Sequence, residues 1–360
     1  MRLRIRELGK KITGFVRFTG RDGTSRLDPK APLVGIYFGG PRTAALDRQA
    51  LRRLHGFSAV VLPVVTNISR FRRLVPRELY GVNGIARDRA DRNLDAIANL
   101  VLENLGLLRR SRRLFISYRR SDSSDVALQI RHELDARGYD IFLDTHSVPK
   151  GDQFQEVLWH RLADSDLMLL LDSPGFLESR WTLEELAQAE AMTVGILQVV
   201  WPGYAPARYS DLCERVYLNA ADFNGSALRD SALVRISVAT ERLRARCLAA
   251  RHDNLVREFC DAADTIGVRT IVQPERYVLA KLAGGRRIAA VPAVGVPDAL
   301  RYHEASRRFP SGSGSASEVL LVYDHRGLRP GWLEYLEWLD QFLPVKAARI
   351  TGVADWLLNA

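Results

Sequence analysis

Apolar residues recur along this chain in two alternating rhythms. Near-continuous runs at 33–38, 59–65, 114–117, 139–143, 167–171 and 194–200 have the length and composition of buried strands. Between them lie stretches with helical spacing: 44–55, 91–108, 126–137, 154–162 and a segment from Trp181 to about Met192. Within 91–108, for example, Leu94, Ile97, Leu100, Val101, Leu105 and Leu108 fall on one side. Strands that alternate with helices predict a parallel, doubly wound sheet buried on both faces. The expected fold class is therefore α/β.

The same rhythm continues beyond residue 204. A long arginine-laced helix is predicted at 231–250, another helix at 255–265, and strands at 268–272 and 319–323. Four arginines at 109, 110, 112 and 113 punctuate the chain before the strand at 114. These breaks divide it into a basic arm (1–30), a small α/β unit (31–110), a central α/β domain (111–250) and a C-terminal α/β unit (251–360). Asp172 and Gly175, after the strand at 167–171, match Asp324 and Gly327 at one offset, and each pair precedes a tryptophan. The C-terminal unit is thus a candidate degenerate copy of the central one, or an unrelated unit built from the same strand–turn–helix grammar. If a copy, it lacks an acid: four residues after Trp332 stands Leu336, whereas four after Trp181 stands Glu185.

Composition alters this picture little. Hydrophobic residues make up 47% and charged residues 26%, which leaves ample core and no signature of disorder. No apolar run has the length to span a bilayer, and none follows the basic N-terminus as a signal peptide would, so a cytoplasmic location is expected. Cys213, Cys247 and Cys260 lack metal-ligand or CxxC spacing and are read as free thiols. No metal site is expected, since His132, His146 and His160 also lack ligand spacing.

Charge is unevenly spread. The net +10 is almost all arginine, since lysine stands only at 10, 11, 30, 150, 281 and 346. That bias fits a GC-rich bacterial coding sequence more simply than a phosphate-binding role. Residues 1–113 carry a net +15, 114–203 a net −8 and 204–360 a net +3. A basic flank beside an acidic centre suits nucleic acid, or head-to-tail self-association, or simply solvated arginines.

Chemistry concentrates in the central domain. Three loops follow strand C-termini there, at the edge where such sheets bind ligands. The first follows Phe115-Ile-Ser-Tyr118 and holds Arg119 and Arg120; the second begins at Asp144 and runs to Phe154. The third passes from Ser173-Pro174 to Trp181 and Glu185, which share a helix face four residues apart. Two guanidiniums for phosphates, aromatics for stacking and an acid make a cleft suited to a dinucleotide. Each residue type also has an ordinary use. Glu184 and Glu185 suit a first helical turn, Trp181 a core, Arg119 and Arg120 a solvated surface, and Asp144 a turn cap.

Together these segments resemble the TIR (Toll/interleukin-1 receptor) domain family. Phe115-Ile-Ser-Tyr118 looks like its first box, and Ile141-Phe-Leu-Asp144 with the loop to Phe154 looks like its second strand and BB loop. The stretch 171–186 looks like its Ser-Pro turn and Trp-x-x-x-Glu helix. The resemblance covers roughly 112–205 and extends through the helix ending near 250; the flanking thirds resemble no family. It implies a flavodoxin-like central sheet and, as in many bacterial members, cleavage of the nicotinamide–ribose bond of NAD, with Glu185 as the catalytic glutamate. NAD is then a substrate and no cofactor is needed. Tyr118, Arg119, Arg120, Asp144, Phe154, Ser173 and Trp181 become substrate-binding candidates, and self-association and a bacterial defence role are implied as well. An equally family-like role is a TIR interaction module without turnover. One departure is Pro149-Lys150 in the BB-loop segment, where some NAD-cleaving relatives carry an acid.

Overall fold

The structure is a computed structural model and describes residues 16–28, 31–40, 45–87, 94–143, 152–174, 176, 187–203, 213–273, 275–309, 316 and 318–360; at 45, 46 and 152–154 it describes the backbone alone. The chain separates into two compact units, Met1–Arg110 and Ser111–Ala360.

The first unit is built on three parallel strands in the order β1 (Val34–Phe38), β2 (Val60–Val65), β3 (Ile85–Ala86). Helix α1 (Ala45–Gly56) crosses from β1 to β2, and Leu51 and Leu54 pack on Val61 and Val65. A 3-10 turn at Arg21–Arg26 leans on α1, with Arg21 paired to Asp47 at 3.2 Å. Helix α2 (Leu94–Asn104) follows β3.

The second unit holds two five-stranded sheets. The first contains β4 (Arg113–Ser117), β5 (Asp140–Leu143), β6 (Leu167–Asp172), β7 (Gly195–Val200) and β8 (Cys213–Tyr217). Its order is β5-β4-β6-β7-β8 and every pair is parallel. That is the doubly wound, flavodoxin-like arrangement expected from the sequence, with the chain reversing direction beside β4. Helices α3 (Arg120–Asp135) and α4 (Asp152–Asp164) cross between its strands, and a short antiparallel pair, β9 (Phe223–Asn224) and β10 (Ala227–Leu228), follows β8.

The strands alternate their side chains between two cores. Leu114, Ile116, Leu167, Leu169, Leu171, Leu197 and Val199 face α3 and the first half of α5 (Asp230–Thr265). Phe115, Met168, Leu170 and Ile196 face the other way, beneath Leu158 and Leu162 of α4. That second core is completed by the C-terminal part of the chain. It contributes Tyr302 and Ala305 of α6 (Ala299–Arg308), Leu321 and Tyr323 of β14 (Glu318–Tyr323), and Leu336 and Leu339 of α7 (Pro330–Phe342).

The second sheet runs in sequence order: β11 (Arg269–Gln273), β12 (Tyr277–Lys281), β13 (Arg287–Ala293), β14, β15 (Lys346–Arg349). Its first two pairings are antiparallel and its last two parallel. This wiring differs from that of the first sheet, so the likeness between the Asp172 and Asp324 segments is confined to a strand and its turn. The second sheet's other face packs on Leu255, Phe259 and Ala263 of α5 and on Val353 and Leu357 of α8 (Val353–Asn359).

Helix α5 is thus one unbroken element where two were expected. It has 36 residues, about 54 Å at 1.5 Å per residue. His252, Asp253 and Asn254 are weak helix formers, but no Gly or Pro breaks the run, and packing against two cores outweighs local propensity. The boundary expected near 250 falls inside this helix. Its charges are locked inward: Arg244 donates to Asp166 and Glu241 accepts from Arg112 at 2.7 Å, all four nearly or wholly buried. Arg251 donates to the carbonyls of Ser165 and Ala163, both at 2.7 Å. These contacts clamp the entry to β6 at the sheet edge opposite the candidate site.

Candidate functional site

At the C-terminal edge of the first sheet, β4 and β6 lie side by side and their exits meet. Ser173 Oγ, one residue beyond β6, donates to Asp122 Oδ2 at 3.0 Å. Asp122 lies in the first turn of α3, where a carboxylate is favoured by the helix dipole. Ser123 Oγ donates to the Arg119 carbonyl at 2.7 Å and lies 3.2 Å from Asp122 Oδ1. The Asp122 carboxylate therefore ties the start of α3 to the end of β6.

Arg119 is the N-cap of α3 and Arg120 its first residue. The sequence led us to expect an open cationic loop with a helix beginning near 126; the helix begins at Arg120 instead. Its first turn is polar because only Ser123 is buried there, and Ser123 and Ser124 hydroxyls bond back to the carbonyls of Arg119 and Arg120. Two guanidiniums beside a helix N-terminus are repelled by its dipole, while an anion placed there gains from both. Both arginines are exposed.

Tyr118, the remaining candidate of this segment, is 6% exposed and packs in the core against α3 and α5 rather than at the surface. Phe154 lies in α4, with its side chain outside the described residues. Asp144, Trp181 and Glu185 also lie outside the described residues. The structure does fix what brackets the segment carrying Trp181 and Glu185. Phe176 before it, and Ala189 and Met192 after it, are all buried in the core shared with the C-terminal sheet.

A second polar chain, not anticipated as a site feature, runs beneath this edge. Asp172, the last residue of β6, is fully buried and accepts from Gln198 Nε2 at 2.6 Å. Gln198 Oε1 in turn accepts from Arg215 Nε of β8 at 2.9 Å. Burial pushes the Asp172 carboxyl above the usual carboxylate value, partly opposed by the Gln198 hydrogen bond and the Arg215 charge. Its Oδ1 is enclosed without a hydrogen-bond partner. The sequence did carry a signal: Asp172 and Gln198 are the polar members of two otherwise apolar runs. Among the described residues, no group of three or more His, Cys, Asp or Glu side chains is placed to hold a metal ion.

A doubly wound α/β domain with polar residues gathered at its strand exits is the class that fold and site define. Residues 114–233, one third of the chain, match the family model described as TIR domain. The chain carries a TIR domain, and its sheet order agrees with that family's expected fold. No curated protein matches the chain. No helix among the described residues is long and apolar enough to cross a membrane.

Proposed function

We propose that the TIR domain cleaves the nicotinamide–ribose bond of NAD, giving nicotinamide and ADP-ribose or a cyclic isomer. The observation that carries this reading is the joining of the β4 and β6 exits through Ser173 and Asp122. It sets the α3 N-terminus, with Arg119 and Arg120, beside the strand end from which the Trp181–Glu185 segment departs. A pyrophosphate at that N-terminus would meet backbone N–H groups and two guanidiniums. Nicotinamide leaves as a neutral group while the ribose becomes oxocarbenium-like. A carboxylate beneath the sugar, which we assign to Glu185, stabilises that charge and orients the attacking hydroxyl or water. Trp181 and Phe154 are assigned to the base pockets, Ser173 to a ribose or amide hydrogen bond, and Asp144 to the rim. NAD enters as substrate and no further cofactor is invoked.

Self-association is part of the proposal. The net +15 of residues 1–113 and net −8 of 114–203 favour head-to-tail contact between copies, and a bacterial defence role in the cytoplasm is the setting we infer. The same charge asymmetry also suits a second reading, a TIR module that assembles without turnover. Incubating the purified chain with NAD over rising protein concentration separates the two. Release of nicotinamide that steepens with concentration supports the enzyme; none at any concentration favours the interaction module.

A further inference from the structure

Strand β11 (Arg269–Gln273) forms one edge of the second sheet, and among the described residues β12 is its sole strand partner. Two of its apolar side chains reach solvent, Ile271 at 40% and Val272 at 48% exposure. Edge strands are ordinarily blunted by proline, lysine, a bulge or a covering element. β11 has neither proline nor lysine, and its five residues pair with β12 one to one, without a bulge. Its one charge, Arg269, stands at the end away from the turn.

The turn tells which backbone groups face outward. Three residues link Gln273 to Tyr277, and the last of them, Arg276, has a left-handed φ of 64°. The Arg276 N–H donates to the Gln273 carbonyl at 3.1 Å. A three-residue hairpin of this kind closes on a hydrogen-bonded pair, here Gln273 and Tyr277. Such pairs alternate along an antiparallel ladder. Gln273, Ile271 and Arg269 therefore bond toward β12, while Thr270 and Val272 turn their N–H and C=O groups away from it. No described residue bonds to the outward groups of either.

We propose that β11 pairs antiparallel with β11 of a second copy across a two-fold axis at Ile271, giving one sheet of ten strands, five from each copy. In that register Thr270 of each copy faces Val272 of the other, so the outward groups of one strand meet those of its mate. Ile271 meets itself at the close, non-hydrogen-bonded spacing, which covers its exposed side chain. An axis at Val272 would set Thr270 against Pro274, which has no N–H, and an axis at Thr270 would leave Val272 and Gln273 beyond the partner strand. The charges agree with the Ile271 axis. Arg269 lies opposite the second copy's Gln273, and Glu275, two positions further on, is within reach of a long arginine side chain. Both Arg269 and Glu275 are exposed, and neither forms an ion pair with a described residue. This contact is isologous and made by the backbone, distinct from the charge-driven head-to-tail association and independent of NAD cleavage.

Sedimentation equilibrium of the full chain from about 1 to 100 μM tests this without NAD. We expect a monomer–dimer equilibrium. Val272→Pro removes an outward N–H that the monomer does not use, so it should weaken dimerisation about tenfold or more while the dilute protein melts like the parent. Arg269→Glu and Glu275→Arg should each weaken it about threefold or more. The two together should restore it, because the double exchange keeps opposite charges across the axis. That exchange also reads the register if Val272→Pro fails to fold. A parent that stays monomeric, or self-association that Val272→Pro leaves at parental strength, would overturn the proposal. So would charge variants that have no effect or whose losses add in the pair.

Discussion

Arg244 Nε donates to Asp166 Oδ2 at 2.5 Å, and neither side chain is reached by solvent. The contact joins α5 to the residue that precedes β6, and Asp166 Oδ2 also accepts from the Arg113 backbone N–H at 3.3 Å. One carboxylate thus fixes the starts of two central strands against the helix that spans both sheets.

Breaking that pair should be costly. Arg244→Met strands a buried carboxylate and is expected to lower the unfolding free energy by about 3–5 kcal/mol. Adding Asp166→Leu should return part of the loss, since the second change removes the stranded charge. Urea denaturation of the parent, the single and the double variants checks this. Losses that simply add would contradict it.

Gly327 offers a test of the shared core. Its φ is 78°, and a Cβ there would lie 2.3 Å from Met192 Cε and 3.0 Å from the Trp159 carbonyl oxygen. Gly327→Ala should therefore destabilise by about 1–3 kcal/mol. Gly331, in the first turn of α7, has open space where a Cβ would stand, and Gly331→Ala should be neutral or stabilising by about 0.5–1 kcal/mol. Thermal melts of the two variants that move together would argue against this packing.

His160 of α4 packs on Trp332 of α7, with ring centroids 5.1 Å apart. Burial lowers its pKa from 6.5 to about 4, partly opposed by Asp164. The folded state therefore binds fewer protons at this site than the unfolded chain. Its contribution is fully present above pH 6.5, declines as pH falls through the window from 6.5 to about 4, and is constant below that. Stability followed by Trp fluorescence should drop more across that window in the parent than in His160→Gln. Parallel pH profiles would refute the assignment.

The central sheet was legible in the sequence because parallel strands buried on both faces read as near-continuous apolar runs, as Leu167–Asp172 and Gly195–Val200 show with one polar residue each. The C-terminal sheet was only half legible. Its central strand β13 is rich in alanine and holds Pro292, which masks a strand pattern, and β15 has only four residues. That the two sheets share a core was invisible, because periodicity reports which face is buried and not what covers it. Of the candidate site, Ser173 was recognised, but its partner Asp122 stood in a polar run that read as loop. Tyr118 read as part of a binding box and its ring lies in the core, which a two-residue rhythm ending at β4 does not reveal. Asp172 was noticed only as half of a possible repeat, yet it is the buried end of a three-residue polar chain.

The most direct test of the proposed chemistry compares adjacent acids. Nicotinamide release from NAD should persist in Glu184→Ala and fall to background in Glu185→Ala, with both proteins retaining the parent's circular dichroism and melting temperature. Equal release by Glu185→Ala and the parent, or equal loss in both variants, would contradict the assignment of Glu185 as the catalytic carboxylate.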